Sequence, residues 1–277
     1  MRLLLTAVAA CALLAGNAVA KPKLDCTPLA GAEALQARAP DFVIFGEAHG
    51  TQELPAAFAD LACAYASSGP VTIGVEFLPA EQAAMDAYMA SDGGAAARAA
   101  LLASAGWGDP YGRASQAIFQ VIDRVRQMKA AGADVTLVAF DHPSETPGTS
   151  DARESGMAKL LLKAKADRPN APVLALTGVG HAGKSAWSSF NPPFPSMSQH
   201  LPADRTVAVT FVRGGGEVWG CRSPTPGAPE DCKVWPSTAR ETIPTRGIVL
   251  DTSRDSFDAV VSVGAPYSAS PPARNVK

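Results

Sequence analysis

Five short apolar runs constrain the fold of this chain more than any other feature of its sequence. Their apolar residues occupy consecutive positions instead of alternate ones. Strands that are covered on both faces have this pattern, and such strands occur mainly in parallel sheets that lie between two layers of helices. The predicted strands are Phe42–Phe45, Val71–Val75, Val135–Phe140, Val173–Leu176 and Val207–Val212.

Segments with helical spacing of apolar residues separate these strands. One apolar stripe runs from Leu54 to Tyr65, a second from Ile118 to Met128, and a third from Met157 to Ala164. The alternation of strand and helix predicts an α/β fold of three layers, with a mostly parallel sheet flanked by helices. Helices are also predicted over residues 80–89 and 95–105, and the insertion 80–111 that contains them is a candidate lid.

The later part of the sequence has a different pattern, rich in turns. The glycines 214–216 are predicted to join two β-like runs as a β-hairpin, and residues 224–236 are predicted to form a turn-rich loop. Gly247–Asp251 and Asp258–Val263 are predicted late strands. Residues 265–277, which contain three prolines, are predicted to form a loose tail.

The first 20 residues have the pattern of a signal peptide. Arg2 precedes an apolar run over residues 3–16, and Ala18-Val19-Ala20 supplies the small residues of a cleavage site. A membrane anchor would need about 20 consecutive apolar residues, and this run is shorter. We therefore predict cleavage after Ala20, a single domain over residues 21–264, a periplasmic or secreted location, and no stable membrane insertion.

The cysteine count agrees with export. Cys11 leaves with the signal, and the four remaining cysteines form an even set, which is typical of disulfides in exported proteins. Cys221 and Cys232 share one stretch rich in Pro and Gly, where a short loop can close, so that pairing is favoured. Cys26 and Cys63 then pair by elimination. The alternative is a zinc cluster, but no two of these cysteines have the short spacing that such clusters use.

The charge balance argues against a nucleic-acid partner. The chain has 24 Lys and Arg residues against 26 Asp and Glu residues, and it has no dense basic run. A net charge of −2 gives no field that would gather polyanions. We expect a small-molecule or peptide substrate instead.

Ionisable residues directly follow four of the predicted strands. The carboxyl ends of parallel strands share one edge of the sheet, which is where open α/β folds bind ligands. Polar residues also occur at strand ends as simple caps, but three of the four histidines fall there, which capping explains poorly. His200 lacks this context and is interpreted as a surface residue. The strand-end residues are Glu47 and His49, then Glu76, then Asp141 and His142, and finally His181.

The pattern Gly-x-x-His occurs twice, ending at His49 and at His181. A neutral imidazole serves as a metal ligand or as a general base near pH 7. Together with Glu47, Glu76 and Asp141, the two histidines offer enough donors for a divalent metal ion, zinc or manganese, with an open position for water. A mechanism without metal uses His49 as the base on water, oriented by a carboxylate.

Two arginines are further candidates for the site. Arg113 precedes one predicted helix and Arg153 opens another. A guanidinium at the sheet edge would bind a substrate carboxylate or stabilise an oxyanion, and the alternative is an ordinary surface ion pair. Arg113 and His142 are assigned to substrate binding. Arg153 is assigned to catalysis, together with Glu47, His49, Glu76 and His181.

These motifs resemble a superfamily that joins the erythromycin esterases, the ChaN haem-uptake lipoproteins and the Tiki (TraB) proteins. The resemblance extends from about residue 41 to residue 263. It rests on Phe45–Gly50, Gly74–Glu76, Arg153 with Met157 and Ala158, Gly178–His181, and Phe257–Val261.

The resemblance implies an α/β fold in which the paired histidine motifs face one cleft. It carries over to Glu47, His49, Glu76, His181 and Arg153 as the motif residues. Activity differs among the members: the esterases hydrolyse a macrolide ester with a histidine-activated water, the Tiki proteins are metal-dependent proteases, and ChaN binds haem. The ChaN lipobox is absent from this sequence.

Two functions remain open. The first is an exported hydrolase whose histidine and glutamate residues activate water, with or without a metal ion, on an ester or amide. The second is a haem- or metal-binding uptake protein without turnover, in which His49, His181 or Tyr111 ligates iron. Haem needs a broad apolar slot, and only 6% of the residues are aromatic, which favours hydrolysis.

Overall fold

A computed structural model describes residues 23–143, 149–223, 225 and 228–274 of the chain. The predicted signal peptide lies outside these residues. The helices are α1 (Ala32–Ala37), α2 (Glu53–Ser68), α3 (Gln82–Met89), α4 (Ala95–Leu102), α5 (Gln116–Ala130), α6 (Asp151–Asp167) and α7 (Val179–Ala182). The strands are β1 (Phe42–Glu47), β2 (Val71–Val75), β3 (Val135–Ala139), β4 (Val173–Gly178), β5 (Thr206–Phe211), β6 (Gly216–Arg222), β7 (Asp231–Ser237), β8 (Gly247–Leu250) and β9 (Ala259–Ser262).

Seven strands form one sheet in the order β3-β2-β4-β1-β5-β9-β8. All neighbours pair in parallel except β8, which runs antiparallel to β9. The first five strands are the predicted ones, with ends moved by one or two residues, and β8 and β9 are the two predicted late strands. The α/β fold with a mostly parallel sheet between helices is therefore confirmed.

Successive side chains of β1 show why the sheet has helices on both faces. Phe42 and Ile44 pack with Met157 of α6 on one face, whereas Val43 and Phe45 belong to the larger cluster on the other face, which includes α2 and α5. Every residue of β1 is buried. Full burial of one large apolar side chain contributes about 1.5–3 kcal/mol, so a consecutive apolar strand is stable only between two covering layers.

The helical insertion is anchored to the core. Helices α3 and α4 form as predicted, and the short turn that follows them carries Trp107, whose side chain is fully buried. Its ring contacts Phe77 beyond β2 and Phe119 of α5. The movement that a lid requires stays a prediction.

The predicted hairpin at the three glycines is wrong. Strand β5 already has β1 on one side and β9 on the other, so it has no free edge for β6. Strand β6 instead pairs with β7, which occupies much of the predicted turn-rich loop 224–236. The glycines form the bend between the two sheets: a Cβ on Gly216, whose φ is 114°, would lie 2.3 Å from the Tyr267 carbonyl oxygen.

The predicted loose tail is also wrong over residues 265–274. The Ser270 N–H donates to the carbonyl of Gly50 at 2.7 Å, and Gln116 donates its N–H to the carbonyl of Pro271 at 2.8 Å. Proline prevents a regular strand, but its carbonyl still accepts hydrogen bonds. The tail is therefore packed between the loop after β1 and the start of α5. The three residues that follow lie outside the described part of the chain.

Both predicted disulfides are present. Cys26 and Cys63 join the segment before α1 to α2, and Cys221 and Cys232 join paired positions of β6 and β7. No helix in the described part of the chain is long and apolar enough to cross a membrane.

Candidate functional site

The segments that follow β1, β2, β3 and β4 meet at the carboxyl edge of the sheet. These four strands are neighbours in the order β3-β2-β4-β1, so the residues at their ends are close in space although far apart in sequence. Most of the predicted site residues gather here. The cluster contains Glu47, His49, Glu76, Asp141, His181, Arg113 and Arg153, with Tyr111 at its margin.

His49 and Glu47 form a histidine–carboxylate pair. The Nδ1 atom of His49 lies 2.8 Å from Oε1 of Glu47, and its Nε2 atom lies 3.5 Å from Oε2 of Glu76. The side chain of His49 is 25% exposed, whereas that of Glu47 is buried. Gly178 leaves room for this imidazole, because a Cβ at that position would lie 3.0 Å from Nε2 of His49.

The charges around this pair shift its pKa values. Burial by itself would lower the pKa of His49, but the carboxylates of Glu76 and Glu47 outweigh burial and raise it. Burial raises the pKa of Glu47 as well, although its hydrogen bond with His49 opposes the change. The two groups therefore hold a proton between them more tightly than isolated side chains would.

Glu76 is the central acceptor of the cluster. Its Oε2 atom accepts hydrogen bonds from the Thr177 hydroxyl at 2.7 Å and from the Gly178 N–H at 2.8 Å, and its Oε1 atom accepts one from Arg153 at 2.9 Å. Burial opposes ionisation of Glu76, but His49, Arg153 and the Thr177 hydroxyl outweigh it and hold the pKa of Glu76 well below its ordinary value. This carboxylate is ionised throughout the neutral range.

Arg153 joins three of the strand ends. Its guanidinium donates to Glu76, to Oδ1 of Asp141 at 2.8 Å, and to Nε2 of His181 at 3.1 Å. Burial would lower the pKa of Arg153, but Asp141 and Glu76 raise it. The serine at position 150 starts α6 by accepting the Arg153 N–H at 3.2 Å, which fixes where this side chain enters the site.

The contacts of His181 determine its tautomer. A guanidinium has no acceptor, so Nε2 of His181 must accept the hydrogen bond from Arg153. The proton then lies on Nδ1, which donates to Oε1 of Glu154 at 2.6 Å. Glu154 is itself held by the Met197 N–H at 2.6 Å. Both nitrogens of His181 are thus occupied by protein groups.

A cleft of about 330 Å³ opens beside this network. Arg113, whose side chain is 33% exposed, projects into it between Asp109 and Asp141. Tyr111 lies at the exposed rim, where its hydroxyl donates to Glu230. This hydrogen bond raises the pKa of Tyr111. The cleft is lined by Glu76, Phe77, Leu78, Ala105, Gly106, Asp109, Pro110, Tyr111, Arg113 and Asp141.

One predicted site residue lies outside the network. His142 packs on α6, where a Cβ on Gly156 would lie 2.3 Å from its ring, and its Nδ1 atom is 3.0 Å from the Pro143 carbonyl. Only its backbone N–H reaches the cluster, donating to Asp141 at 2.7 Å. The sequence interpretation missed Glu154. The one signal for Glu154 was its position beside Arg153 at the start of α6. Acidic residues are common there because they interact favourably with the helix dipole, so this position alone does not indicate a site residue.

The donor set does not fit the divalent metal ion that the sequence suggested. The carboxylates of Glu76 and Asp141 already face guanidinium groups, and Nε2 of His181 accepts from Arg153. A cation placed among these donors would lie beside two fixed positive charges. Within the described ranges, no group of three or more His, Cys, Asp or Glu side chains is arranged to hold a metal ion.

The fold and site define an α/β protein whose carboxyl sheet edge carries a buried network of histidines, carboxylates and arginines. Its fold is that of the erythromycin esterase EreC, with a TM-score of 0.56 and 14% identity over 86% of this chain and 91% of that chain. A succinoglycan biosynthesis protein has a TM-score of 0.57 and 10% identity, over 79% and 78% of the two chains. These likenesses confirm the fold that the sequence resemblance implied.

A structure of cofacial haem binding to ChaN of Campylobacter jejuni also matches, over 86% of this chain and 91% of that chain. Its TM-score is 0.41 and its identity 9%, values too low to bear on function. The sequence matches no protein-family model and no curated protein.

Proposed function

We propose that this chain is a hydrolase in which His49 activates water for attack on an ester or amide of a small molecule or peptide. The observation that carries the proposal is the contrast between the two histidines. His181 has both nitrogens in close hydrogen bonds with protein groups, whereas His49 has Nδ1 fixed by Glu47, a side chain that is 25% exposed, and an Nε2 atom whose nearest carboxylate oxygen, on Glu76, is 3.5 Å away. An imidazole oriented by a carboxylate is the usual arrangement of a general base.

The proposed reaction begins when Nε2 of neutral His49 takes a proton from a water molecule. Glu47 accepts the Nδ1 hydrogen bond and stabilises the imidazolium that forms. The new hydroxide bonds to the substrate carbonyl carbon, and the negative charge that develops on the carbonyl oxygen is stabilised by Arg113 at the cleft. The carbon–leaving-group bond then breaks, and His49 returns its proton to the departing oxygen or nitrogen.

Arg153, His181 and Glu154 act as positioning residues in this proposal. Together they hold Glu76 and Asp141, which in turn face His49 and Arg113. Glu76 lies on the Nε2 side of His49, where a carboxylate favours the imidazolium over the neutral base. Neutral His49 is therefore available only above its raised pKa, so activity is expected to increase as pH rises through that pKa.

The first experiment compares hydrolysis of nitrophenyl esters and anilides by the parent, by His49→Gln and by His200→Gln. Loss of a general base is expected to reduce kcat by about 100-fold to 10,000-fold. His200 is the control histidine, because its imidazole faces Asp151, which is not a residue of the network. Equal turnover by the parent and His49→Gln would remove His49 from the mechanism.

A second experiment decides between metal-free and metal-assisted hydrolysis. We expect elemental analysis of the purified protein to find no stoichiometric zinc or manganese, and we expect turnover to survive dialysis against a chelator. Loss of turnover on chelation, with recovery when zinc or manganese is added, would replace the metal-free mechanism. Such a result would place the ion among donors that the structure shows paired with arginine.

Haem binding without turnover is the competing outcome. The hydrogen bond to Glu230 opposes the phenolate form that Tyr111 would need as an iron ligand. A haemin absorbance titration of the same sample is expected to give no sharp Soret band. A stoichiometric Soret shift that is lost in Tyr111→Phe would favour the uptake function instead.

We further propose that the protein acts outside the cytoplasm. Its two disulfides support an oxidising compartment, and the predicted signal peptide would direct it there. Fractionation of expressing cells, with thiol labelling of the recovered protein, tests this location. Protein that is retained in the cytoplasm with free thiols would contradict it.

A further inference from the structure

A second cavity lies on the other side of the β6–β7 hairpin from the cleft. On one face of the hairpin, the Trp219 indole donates to the Pro110 carbonyl at 2.9 Å, beside the cleft. Val218 and Arg222, which point to the opposite face of the same strand, line a cavity of about 450 Å³. The hairpin therefore lines the second cavity with one face, and with the other it contacts Pro110 of the cleft.

Three arginines line this second cavity, from three separate segments. Arg213 follows β5, Arg222 ends β6, and Arg240 follows β7. No acidic residue is among the described residues that line the cavity. All three arginines are solvent-exposed, so salt screens part of their mutual repulsion.

The described part of the chain neutralises these arginines only in part: the charge of Arg213 lowers the pKa of Glu241, but no salt bridge forms. None of the ion pairs there includes Arg213, Arg222 or Arg240. The neighbouring acid, Glu241, is held by the Arg254 guanidinium at 3.0 and 3.2 Å and by the backbone N–H of Arg213 at 3.1 Å. Its carboxylate is thus directed to other donors.

The remaining lining suits an organic ligand better than a bare inorganic ion. Phe211, Val218 and Tyr267 supply an apolar surface, and the Tyr267 hydroxyl is already used as a donor to the Val212 carbonyl. Ser237 and Thr238 add hydroxyls beside the arginines. The volume lies in the range of sites for small organic molecules, about 300–1,000 Å³.

We propose that this cavity binds a small organic anion, with a carboxylate or phosphate facing Arg213, Arg222 and Arg240 and an apolar body against Phe211 and Tyr267. The proposal does not depend on hydrolysis at His49. Arginine forms paired hydrogen bonds with carboxylates and with phosphates, so the cavity is expected to select an oxyanion of either kind.

Calorimetric titration of the whole protein at low ionic strength tests the proposal. The probes are phenyl phosphate, benzoate, inorganic phosphate and, as the neutral control, benzyl alcohol. We expect saturable binding of phenyl phosphate or benzoate with a Kd below about 1 mM, weaker binding of inorganic phosphate, and none of benzyl alcohol. The ratio of the phenyl phosphate and benzoate affinities tells which oxyanion the cavity prefers.

Variants connect the binding to these residues. Arg213→Gln and Arg240→Gln are each expected to weaken the preferred anion about tenfold or more, because each removes a charged hydrogen-bond donor. Arg38→Gln, an exposed arginine after α1, is the matched control and should bind as the parent does. Circular dichroism and thermal unfolding check that each variant folds.

Two results would overturn the proposal. One is the absence of saturable binding by any of the anions up to about 10 mM. The other is binding that stays within twofold of the parent in the Arg213→Gln/Arg240→Gln double variant. Activity at His49 is measured separately, so a failure of this site leaves the hydrolase proposal standing, and the reverse also holds.

Discussion

Replacement of Glu76 by glutamine tests whether the buried network is held together by charge. The side chain keeps its size in Glu76→Gln, but the negative charge opposite Arg153 and His49 is lost. The new amide NH₂ must also replace one oxygen that now accepts a hydrogen bond, either from Arg153 or from Thr177 and Gly178. At least one donor then faces another donor in a buried place.

The structure sets the size of the effect. Removing one partner of a buried ion pair costs about 3–5 kcal/mol, and Asp141 still neutralises Arg153 in the variant, so we expect the lower end, about 3 kcal/mol. For a domain of this size that loss corresponds to a fall in Tm of about 6–12 °C. Glu33→Gln, at an exposed position of α1, is the control and should change stability by less than about 0.5 kcal/mol.

The pH dependence of the stability difference between the parent and Glu76→Gln is a sharper test. The pKa of Glu76 is lowered in the folded protein, so its contribution to stability is fully present above the ordinary value of 4.5 and is lost progressively as pH falls toward the folded value. Urea unfolding followed by circular dichroism, with the disulfides intact, should give the largest difference between parent and variant between about pH 4.5 and the raised pKa of His49, above which neutral His49 no longer forms an ion pair with Glu76. This difference should shrink below about pH 4.5. A loss of less than about 1 kcal/mol at pH 7, or one that does not shrink in acid, would refute the reasoning.

Three further predictions concern the base, a disulfide and the core. Glu47→Gln should move the acid limb of the hydrolysis pH profile to lower pH, because the Glu47 carboxylate helps to raise the pKa of His49; an unmoved limb would contradict the pairing. Replacing Cys26 and Cys63 together by serine opens a loop with a sequence separation of 37 residues and should cost about 4 kcal/mol in urea unfolding, with an unchanged midpoint as the contrary result. Trp107→Ala should cost about 3–5 kcal/mol by the same assay, and a loss below about 1 kcal/mol would show that the insertion is not anchored to the core.

The sheet and its site edge were predictable because each depends on a local signal. Consecutive apolar residues in β1 and β5 mark strands covered on both faces, and parallel strands place their following residues on one edge. The meeting of His49, Glu76 and Arg153 follows from that geometry alone. The hydrogen-bond partner of each side chain at this edge does not follow from the sheet geometry. It depends on distances between side chains that no spacing in the sequence encodes.

The predictions that were wrong, for the glycine hairpin, the loose tail and His142, also have physical reasons. Three adjacent glycines are a good hairpin signal, but β5 lies inside the sheet with both edges paired, so the strand after the glycines had to find another partner. The prolines near residues 266–272 indicate a break in regular structure, and burial of Tyr267 and Ser270 shows that a break in regular structure is compatible with tight packing. His142 follows its strand like the other candidates, but it turns outward onto α6.

The packed segment 265–274 has a consequence for how the molecule matures. The Ser268 N–H donates to the Glu53 carboxylate across a separation of 215 residues, and Ser270 bonds to Gly50, directly after His49. During synthesis, the hydrogen bond from Ser270 to Gly50 can therefore form only after nearly all of the described chain has been made. A chain truncated before residue 265 would contain every residue of the network, but it would lack the hydrogen bond that holds the loop next to His49.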